Sequence, residues 1–141
     1  MSSGLKKWAC AGATLVLIAG CAAPERPRPE VNRYGVNVAV EHSGSAITLE
    51  RDQELVVRLA SLVSSGSEWA LVDFAPGVLT GQAAPKFERE LRVNNVNDAA
   101  GFEVWRFKPA AAGTVTLKFD YRRAYRLDAA SQSVSYTVTV R

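Results

Sequence analysis

Apolar residues recur at every second position in four stretches of this 141-residue chain. These stretches are 36–40, 55–59, 115–121 and 134–140. Successive side chains of a β-strand point to opposite faces, so this spacing places the apolar side chains of each stretch on one face of a sheet. Because no stretch shows convincing apolar spacing for an amphipathic helix, the alternation predicts an all-β domain.

Four further segments have the composition of strands, and turns that contain glycine, proline or serine separate the candidates. The segments are 46–49, 67–74, 87–93 and 102–107, and the turns lie at 43–45, 75–77 and 112–113. Seven or eight short strands at this spacing predict an immunoglobulin-like antiparallel β-sandwich. A sandwich of this kind gathers its loops at its two ends, and loops are where recognition is carried.

Three aromatic residues are predicted to fill the space between the two sheets. Trp69 lies in the apolar segment 69–72, and a tryptophan in such a strand usually packs between sheets. Trp105 and Phe107 share one face of their strand and are assigned to the core as well. Tyr125 is different, because it follows an arginine pair in the loop that should join the last two strands. There it is either a contact point for a partner or part of a solvated hairpin end.

The N-terminus has the features of a signal peptide that is removed. Two lysines precede thirteen uncharged, apolar or small residues at 8–20, a run too short to span a membrane as a helix. Residues 17–21 then resemble the lipobox of bacterial lipoproteins, in which the cysteine carries diacylglycerol. We therefore predict a signal peptide at 1–20 and a lipid anchor on Cys21. The alternative, a buried N-terminal helix, is disfavoured by the prolines that follow.

A proline-rich segment separates the predicted anchor from the rest of the chain. Three prolines favour extended polyproline-like backbone, so residues 21–33 are predicted to form a tether and 34–141 one folded domain. Cys10 lies within the predicted signal peptide, so the mature domain would have no thiol available for a disulfide. Its stability is expected to depend on packing alone.

The uneven distribution of charge bears on partners and location. The 17 Lys and Arg residues against 14 Asp and Glu residues give +3, but the excess lies in the signal peptide and the tether. Residues 34–141 carry 12 basic and 12 acidic residues, so the domain has no basic footprint for a nucleic acid. The expected location is the bacterial cell envelope. Ala22 after Cys21, rather than aspartate, resembles lipoproteins sorted to the outer membrane, facing the periplasm.

Residues that could support catalysis or bind a metal are sparse and scattered. His42 is the only histidine, and we predict a solvated turn residue rather than the base of a nucleophile. Residues 66–68 superficially resemble a nucleophile loop but lack its second glycine. With no clustered histidines and no available thiol, neither a metal site nor a cofactor is expected. The sequence therefore favours a protein that is not an enzyme.

With its strands and loops placed, the domain resembles the chagasin family of cysteine protease inhibitors. The resemblance covers 36–141 and depends on the order of the elements. The segments that carry it are Ile47–Leu49, Glu54–Leu59, a glycine-containing loop that ends at Trp69, Gly101–Phe107, Ala112–Val115 and Phe119–Arg123. The resemblance implies an immunoglobulin-like sandwich that inhibits papain-like proteases by presenting three loops from one end, the middle one entering the active-site cleft.

The loop that would enter the cleft departs from the family pattern, which is Asn-Pro-Thr-Thr-Gly followed by an aromatic, one variable residue and Trp. The matching residues are Gly66 and Trp69, with Ser64 and Ser65 retaining the hydroxyls, and the departures include Val63 for proline and Ser67 for the aromatic. A wedge that enters a cleft depends on a rigid, complementary tip. These changes are therefore expected to weaken or redirect binding to a papain-like protease.

The two flanking loops differ from the family as well. The second, usually glycine-rich, corresponds to 97–101, and its predicted contact residues are Ala99, Ala100 and Gly101. The third, usually Arg-Pro-Trp, corresponds to Arg123, Ala124 and Tyr125, with Arg126 beside them. Alanine in place of proline leaves the backbone φ angle free, so the third loop is expected to be less preorganised.

The sequence leaves two functions open. The first is a lipid-anchored inhibitor of a papain-type cysteine protease, which would need no cofactor. The second is a non-inhibitory module that holds another envelope protein through the same loops or an exposed sheet edge. The whole-domain resemblance favours the first, whereas the altered loops motivate the second. An envelope enzyme would require turnover that depends on His42 or a carboxylate, and no constellation in the sequence indicates one.

Overall fold

The computed structural model describes residues 25–82, 84–90, 100–124 and 129–141. Ten strands and two single turns of 3-10 helix lie within these ranges. The strands are β1 (Glu30–Asn32), β2 (Gly35–Val38), β3 (Ala46–Leu49), β4 (Glu54–Leu62), β5 (Ser67–Asp73), β6 (Leu79–Gly81), β7 (Lys86–Arg89), β8 (Ala100–Pro109), β9 (Gly113–Arg123) and β10 (Gln132–Val140). The 3-10 turns are Val40–His42 and Val63–Ser65.

The predicted anchor is not part of the described structure. The signal peptide at 1–20 and the lipidation site at Cys21 both lie outside the described ranges. Within those ranges, no helix is long and apolar enough to cross a membrane. The anchor therefore stays a prediction from the sequence.

The strands form two sheets of a sandwich. Sheet A has the order β1-β2-β4-β8, with β6 and β7 both pairing along the other edge of β8, and sheet B has the order β3-β10-β9-β5. The predicted all-β sandwich is confirmed. Most neighbours are antiparallel, but β2 runs parallel to β4 and β3 runs parallel to β10. After β2 the chain crosses to β3 in sheet B and then returns to β4 in sheet A. Because it reverses direction twice on this route, β4 runs parallel to β2.

The structure contains two strands that the sequence pattern does not predict, β1 and β6. With the eight predicted segments, they bring the number of described strands to ten. Each has three residues, too few to display an alternation. β1 lies inside the segment predicted to be a tether, where its Glu30 pairs with Asn37. The turn between β1 and β2 is closed by Asn32, whose Oδ1 accepts hydrogen bonds from the backbone N–H groups of Tyr34 (2.8 Å) and Gly35 (3.0 Å). The same extended backbone can form a tether or an edge strand. Pairing with β2 makes residues 30–32 an edge strand.

Alternating side chains of both sheets meet in one hydrophobic core, as the period-two pattern predicts. Phe119 packs with its ring centroid 5.5 Å from Trp105, 6.4 Å from Phe107 and 6.3 Å from Tyr136. Trp69, Trp105 and Phe107 are buried, which confirms their assignment to the core. The other core residues are Val36, Val38, Ile47, Leu49, Leu55, Val57, Leu59, Leu79, Val115, Leu117, Val134, Val138 and Val140. Full burial of one such side chain contributes about 1.5–3 kcal/mol.

The prediction for His42 is wrong, because its side chain is buried rather than solvated. The 3-10 turn that it ends folds the imidazole back, so that Nδ1 accepts a hydrogen bond from the backbone N–H of Ala39 at 2.9 Å. On the other side of the ring, Nε2 lies 3.1 Å from the carbonyl oxygen of Arg28 and donates to it. A neutral imidazole protonated on Nε2 satisfies both contacts. His42 therefore ties the segment before β1 to the domain.

Candidate functional site

Three chain connections converge at one end of the sandwich. β4 ends at Leu62, which pairs with Ala100 at the start of β8. In the other sheet, β5 begins at Ser67, which pairs with Arg123 at the end of β9. Paired residues are neighbours across a sheet. The β4–β5 loop, the connection that enters β8 and the connection that leaves β9 therefore meet at the same end.

The described members of the predicted binding set lie at this end. In the β4–β5 loop, Val63, Ser64 and Ser65 form the 3-10 turn, Gly66 follows it and Ser67 begins β5. In the flanking segments, Ala100 and Gly101 begin β8, Arg123 ends β9 and Ala124 lies in the turn after it. The remaining members, Ala99, Tyr125 and Arg126, lie outside the described ranges.

The tip of the β4–β5 loop, residues 62–66, is exposed and carries two aliphatic side chains. Leu62 is 41% exposed, Val63 is 54% exposed, and Ser64 beside them is exposed too. Next to the tip lies a depression of about 330 Å³, one wall of which is the partly exposed ring of Phe87. Clustered apolar side chains in contact with water mark a surface that a partner can cover.

Gly66 ends the turn in a backbone conformation that side chains disfavour. Its φ angle is +67°, in the left-handed region, and its N–H donates to the carbonyl oxygen of Val63 at 3.2 Å. A Cβ atom at this position would meet no other atom within 4 Å. Glycine is therefore required here by the φ angle, not by space.

Trp69 anchors the loop to the body of the sandwich. Its indole Nε1 donates to the carbonyl oxygen of Ala60 in the other sheet at 2.9 Å. Its backbone N–H points at the Glu103 carboxylate, 3.1 Å from one oxygen and 3.3 Å from the other. Its ring packs against that of Tyr121, with centroids 5.1 Å apart. Trp69 thus contacts residues of both sheets, in keeping with the structural role predicted for it.

Glu103 is a buried carboxylate that sequence reasoning missed. Burial raises the pKa of Glu103 above its ordinary value, and the nearby charge of Glu68 raises it further. Hydrogen bonds from the Ser61 hydroxyl and the Trp69 backbone act in the opposite direction. Glu103 shares the strand parity of Trp105 and Phe107, and that parity is the sequence signal that it faces inward.

A backbone hydrogen bond joins the β4–β5 loop to the turn after β9, which belongs to the third predicted loop. The N–H of Ala124 donates to the carbonyl oxygen of Gly66 at 3.0 Å. Ala124 stands where the resembled family has proline, and proline has no N–H to donate. The substitution that frees φ in the third loop therefore also supplies a direct tie between the two loops.

The loop end brings serine hydroxyls to the surface. Its serine hydroxyls have no imidazole beside them, since both ring nitrogens of His42 are bonded elsewhere. Among the residues that the structure describes, no three His, Cys, Asp or Glu side chains lie close enough together to hold a metal ion. The described part of the site is thus a pair of exposed aliphatic side chains on a hydrogen-bonded base.

The architecture defines a class of β-sandwich that presents an exposed loop tip at one end. Residues 48–140, more than half of the chain, match the family model described as Chagasin family peptidase inhibitor I42. The chain belongs to this family, which confirms the resemblance seen in the sequence. A comparison with the sequences of curated proteins gives no match.

Solved structures that are similar to this chain include two with a TM-score above 0.6. The cysteine protease inhibitor EhICP2 from Entamoeba histolytica has a TM-score of 0.67 at 16% sequence identity, over 74% of this chain and 94% of its own. Amebosin, solved in solution, has a TM-score of 0.61 at 15% identity, over 74% of this chain and 96% of its own. At these identities, the likeness shows that the fold is shared.

Proposed function

We propose that this chain is a lipid-anchored inhibitor of papain-like cysteine proteases that binds its target through the loops at one end of the sandwich. Membership of a peptidase inhibitor family supports the proposal, as does the shared fold with an inhibitor of cysteine proteases. The observation that carries it is the exposed tip at 62–66 on a hydrogen-bonded base. Such a protein needs no cofactor and performs no reaction of its own.

Inhibition follows from filling the cleft with a loop that already has its bound shape. The tip is restrained by the left-handed backbone of Gly66, by the bond from Ala124 and by the contacts of Trp69. Ordering a side chain on binding costs about 0.5–1.5 kcal/mol, so a preformed tip retains more of its contact energy. Substrate is then excluded from the cleft for as long as the loop occupies it.

Enzyme assays test this proposal directly. The mature chain with Cys21→Ser, which lacks the lipidation site, should reversibly inhibit at least one of a panel of papain-like proteases without being cleaved. Val63→Asp puts a charge at the apolar tip and should weaken inhibition at least about tenfold. Val72→Asp is the matched control, because Val72 is 40% exposed on β5 away from the loops. No inhibition of any panel member at micromolar concentration would refute the proposal.

A second candidate is a non-inhibitory module that holds another envelope protein. It is favoured by the departures from the family pattern at Val63, Ser67 and Ala124, all at the loop end. A photo-crosslinking residue at the exposed Glu68, or at Tyr125, should then capture one defined partner that is not a protease. Capture of a papain-like protease would instead support the inhibitor, and a blank at both positions would count against either partner at this surface.

The lipid on Cys21 would keep the domain at a membrane of the bacterial envelope, and we propose the outer membrane, facing the periplasm. The motif at 17–21 and the Ala22 that follows it support this assignment. Residues 25–33 are the described part of the predicted tether, and they contact the domain beside His42, which bonds to Arg28. A partner would therefore be met close to the membrane surface.

A further inference from the structure

We propose that Ser65 is the positioning residue of the loop tip, and that Leu62, Val63 and Ser64 form its contact surface, which fits a partner with an apolar pocket. This assignment deepens the proposed function and, for binding, rests on it. It separates the two serines that the sequence treats alike: the Ser65 hydroxyl holds the shape of the loop, whereas the Ser64 hydroxyl is free to contact a partner.

The Ser65 hydroxyl uses all of its hydrogen-bonding capacity within the loop and its base. Its oxygen lies 2.7 Å from the carbonyl oxygen of Leu62, to which it must donate its single proton. The same oxygen accepts from the backbone N–H of Ser67 at 3.2 Å. A second acceptor position faces the Tyr121 hydroxyl at 3.1 Å, so Tyr121 donates there. A hydroxyl has one donor and two acceptor positions, and none is left for a partner.

These bonds connect the tip to the core. Tyr121 belongs to β9 of sheet B, and its ring packs against Trp69. Trp69 in turn is bonded to Ala60 and Glu103 in sheet A. The Ser65 hydroxyl therefore connects the exposed turn to both sheets through Tyr121 and Trp69. The shape of the tip depends on this hydroxyl.

Ser64 differs from Ser65 in its hydrogen bonding. Both residues are exposed, but within the described part of the chain the Ser64 hydroxyl makes no hydrogen bond. Beside it, Leu62 is 41% exposed and Val63 is 54% exposed. Two aliphatic side chains with one free hydroxyl favour a partner whose cleft contains an apolar pocket, because covering the pair removes apolar surface from water.

Three serine variants in the Cys21→Ser background separate the two roles. Ser65→Ala should raise the inhibition constant about tenfold, because the tip loses its framework. Ser65→Thr keeps the hydroxyl and should restore inhibition to within about threefold. Ser64→Ala removes a hydroxyl of the contact surface but leaves the hydrogen bonds of the loop intact, and it should raise the constant only about threefold. For the contact surface, Val63→Ser should weaken inhibition about tenfold while Val63→Ile preserves it.

A second measurement tests the framework without any protease. In the free protein, Ser65→Ala should speed amide hydrogen exchange at Ser67 about tenfold, whereas Ser65→Thr and Ser64→Ala should leave it unchanged. If the chain inhibits no protease but exchange responds as expected, the proposed function fails while the positioning role of Ser65 stands. Unchanged exchange in Ser65→Ala would overturn the positioning role. Equal inhibition by Val63→Ser and the parent would overturn the contact surface.

Discussion

Glu103 occupies a position where strand parity would otherwise place an apolar side chain. Its neighbours of the same parity, Gly101, Trp105 and Phe107, all face the interior. The carboxylate accepts the backbone N–H of Trp69 and so links β8 of sheet A to β5 of sheet B below the loop tip. This link has a cost, because burial disfavours the charged form.

We expect Glu103→Gln to stabilise the domain at neutral pH. The pKa of Glu103 in the folded chain is raised above the ordinary value of 4.5, so the folded chain binds more protons than the unfolded chain between the two values. The contribution of Glu103 to stability is therefore fully present below pH 4.5 and is lost as the pH rises through the folded pKa. Glutamine removes the charge and keeps an oxygen for Trp69.

Urea unfolding between pH 4 and 8 measures this effect. The stability difference between Glu103→Gln and the parent should grow in favour of the variant as the pH rises. Glu88→Gln is the control, since Glu88 pairs with Arg58 at 3.5 Å on a partly exposed face and should change stability by less than about 1 kcal/mol. A parent more stable than Glu103→Gln at pH 7 would contradict the expectation.

The two core tryptophans should respond differently to the same substitution. Trp69→Phe leaves the carbonyl oxygen of Ala60 without its partner at 2.9 Å. Trp105→Phe removes an Nε1–H that is buried and, among the described residues, has no hydrogen-bond partner. Trp69→Phe should therefore cost about 1 kcal/mol more than Trp105→Phe in chemical denaturation. A larger loss for Trp105→Phe would show that its N–H has a partner.

At the scale of elements, the parallel pairing of β2 and β4 depends on how closely their backbones approach. Gly35 pairs with Glu54, and a Cβ atom on Gly35 would overlap the Glu54 carbonyl oxygen. Main chain rather than a movable side chain meets the added atom, so the strands themselves must separate. The predicted tether is drawn into the same sheet edge through β1.

Gly35→Ala should therefore destabilise the domain more than Gly66→Ala. The first forces apart two strands and should cost more than about 2 kcal/mol. The second adds a methyl group in open space at a positive φ angle and should cost about 1–2 kcal/mol. Urea denaturation of both variants gives the two free energies of unfolding. The reverse order would show that β2 and β4 can separate freely.

At the scale of the whole molecule, the proposed lipid on Cys21 would hold the loop end near a membrane. Cys21→Ala should abolish metabolic labelling with palmitate and move the protein from the membrane fraction to the soluble fraction. Ser43→Ala, which leaves the motif at 17–21 intact, is a control that should remain membrane-bound. Retained labelling in Cys21→Ala would contradict the lipidation site.

Much of the fold follows from local patterns. The segment predicted at 46–49 coincides with β3, and that at 134–140 lies within β10 (Gln132–Val140). The segment at 87–93 overlaps β7, which begins at Lys86, and its last residues lie outside the described ranges. The boundaries differ by a few residues, because the alternation marks where side chains are buried and not where backbone pairing stops.

Strand parity is local information: it decides which side chains of a segment share a face, and so the alternating residues already specified a two-sheet sandwich and its core. Partners distant in the chain are not local. Ser65 and Tyr121 are 56 residues apart, and His42 and Arg28 approach from separate segments. Their bonds arise only when the sheets have packed, because polar side chains near a packed core are stabilised by whichever partners the tertiary structure brings within reach.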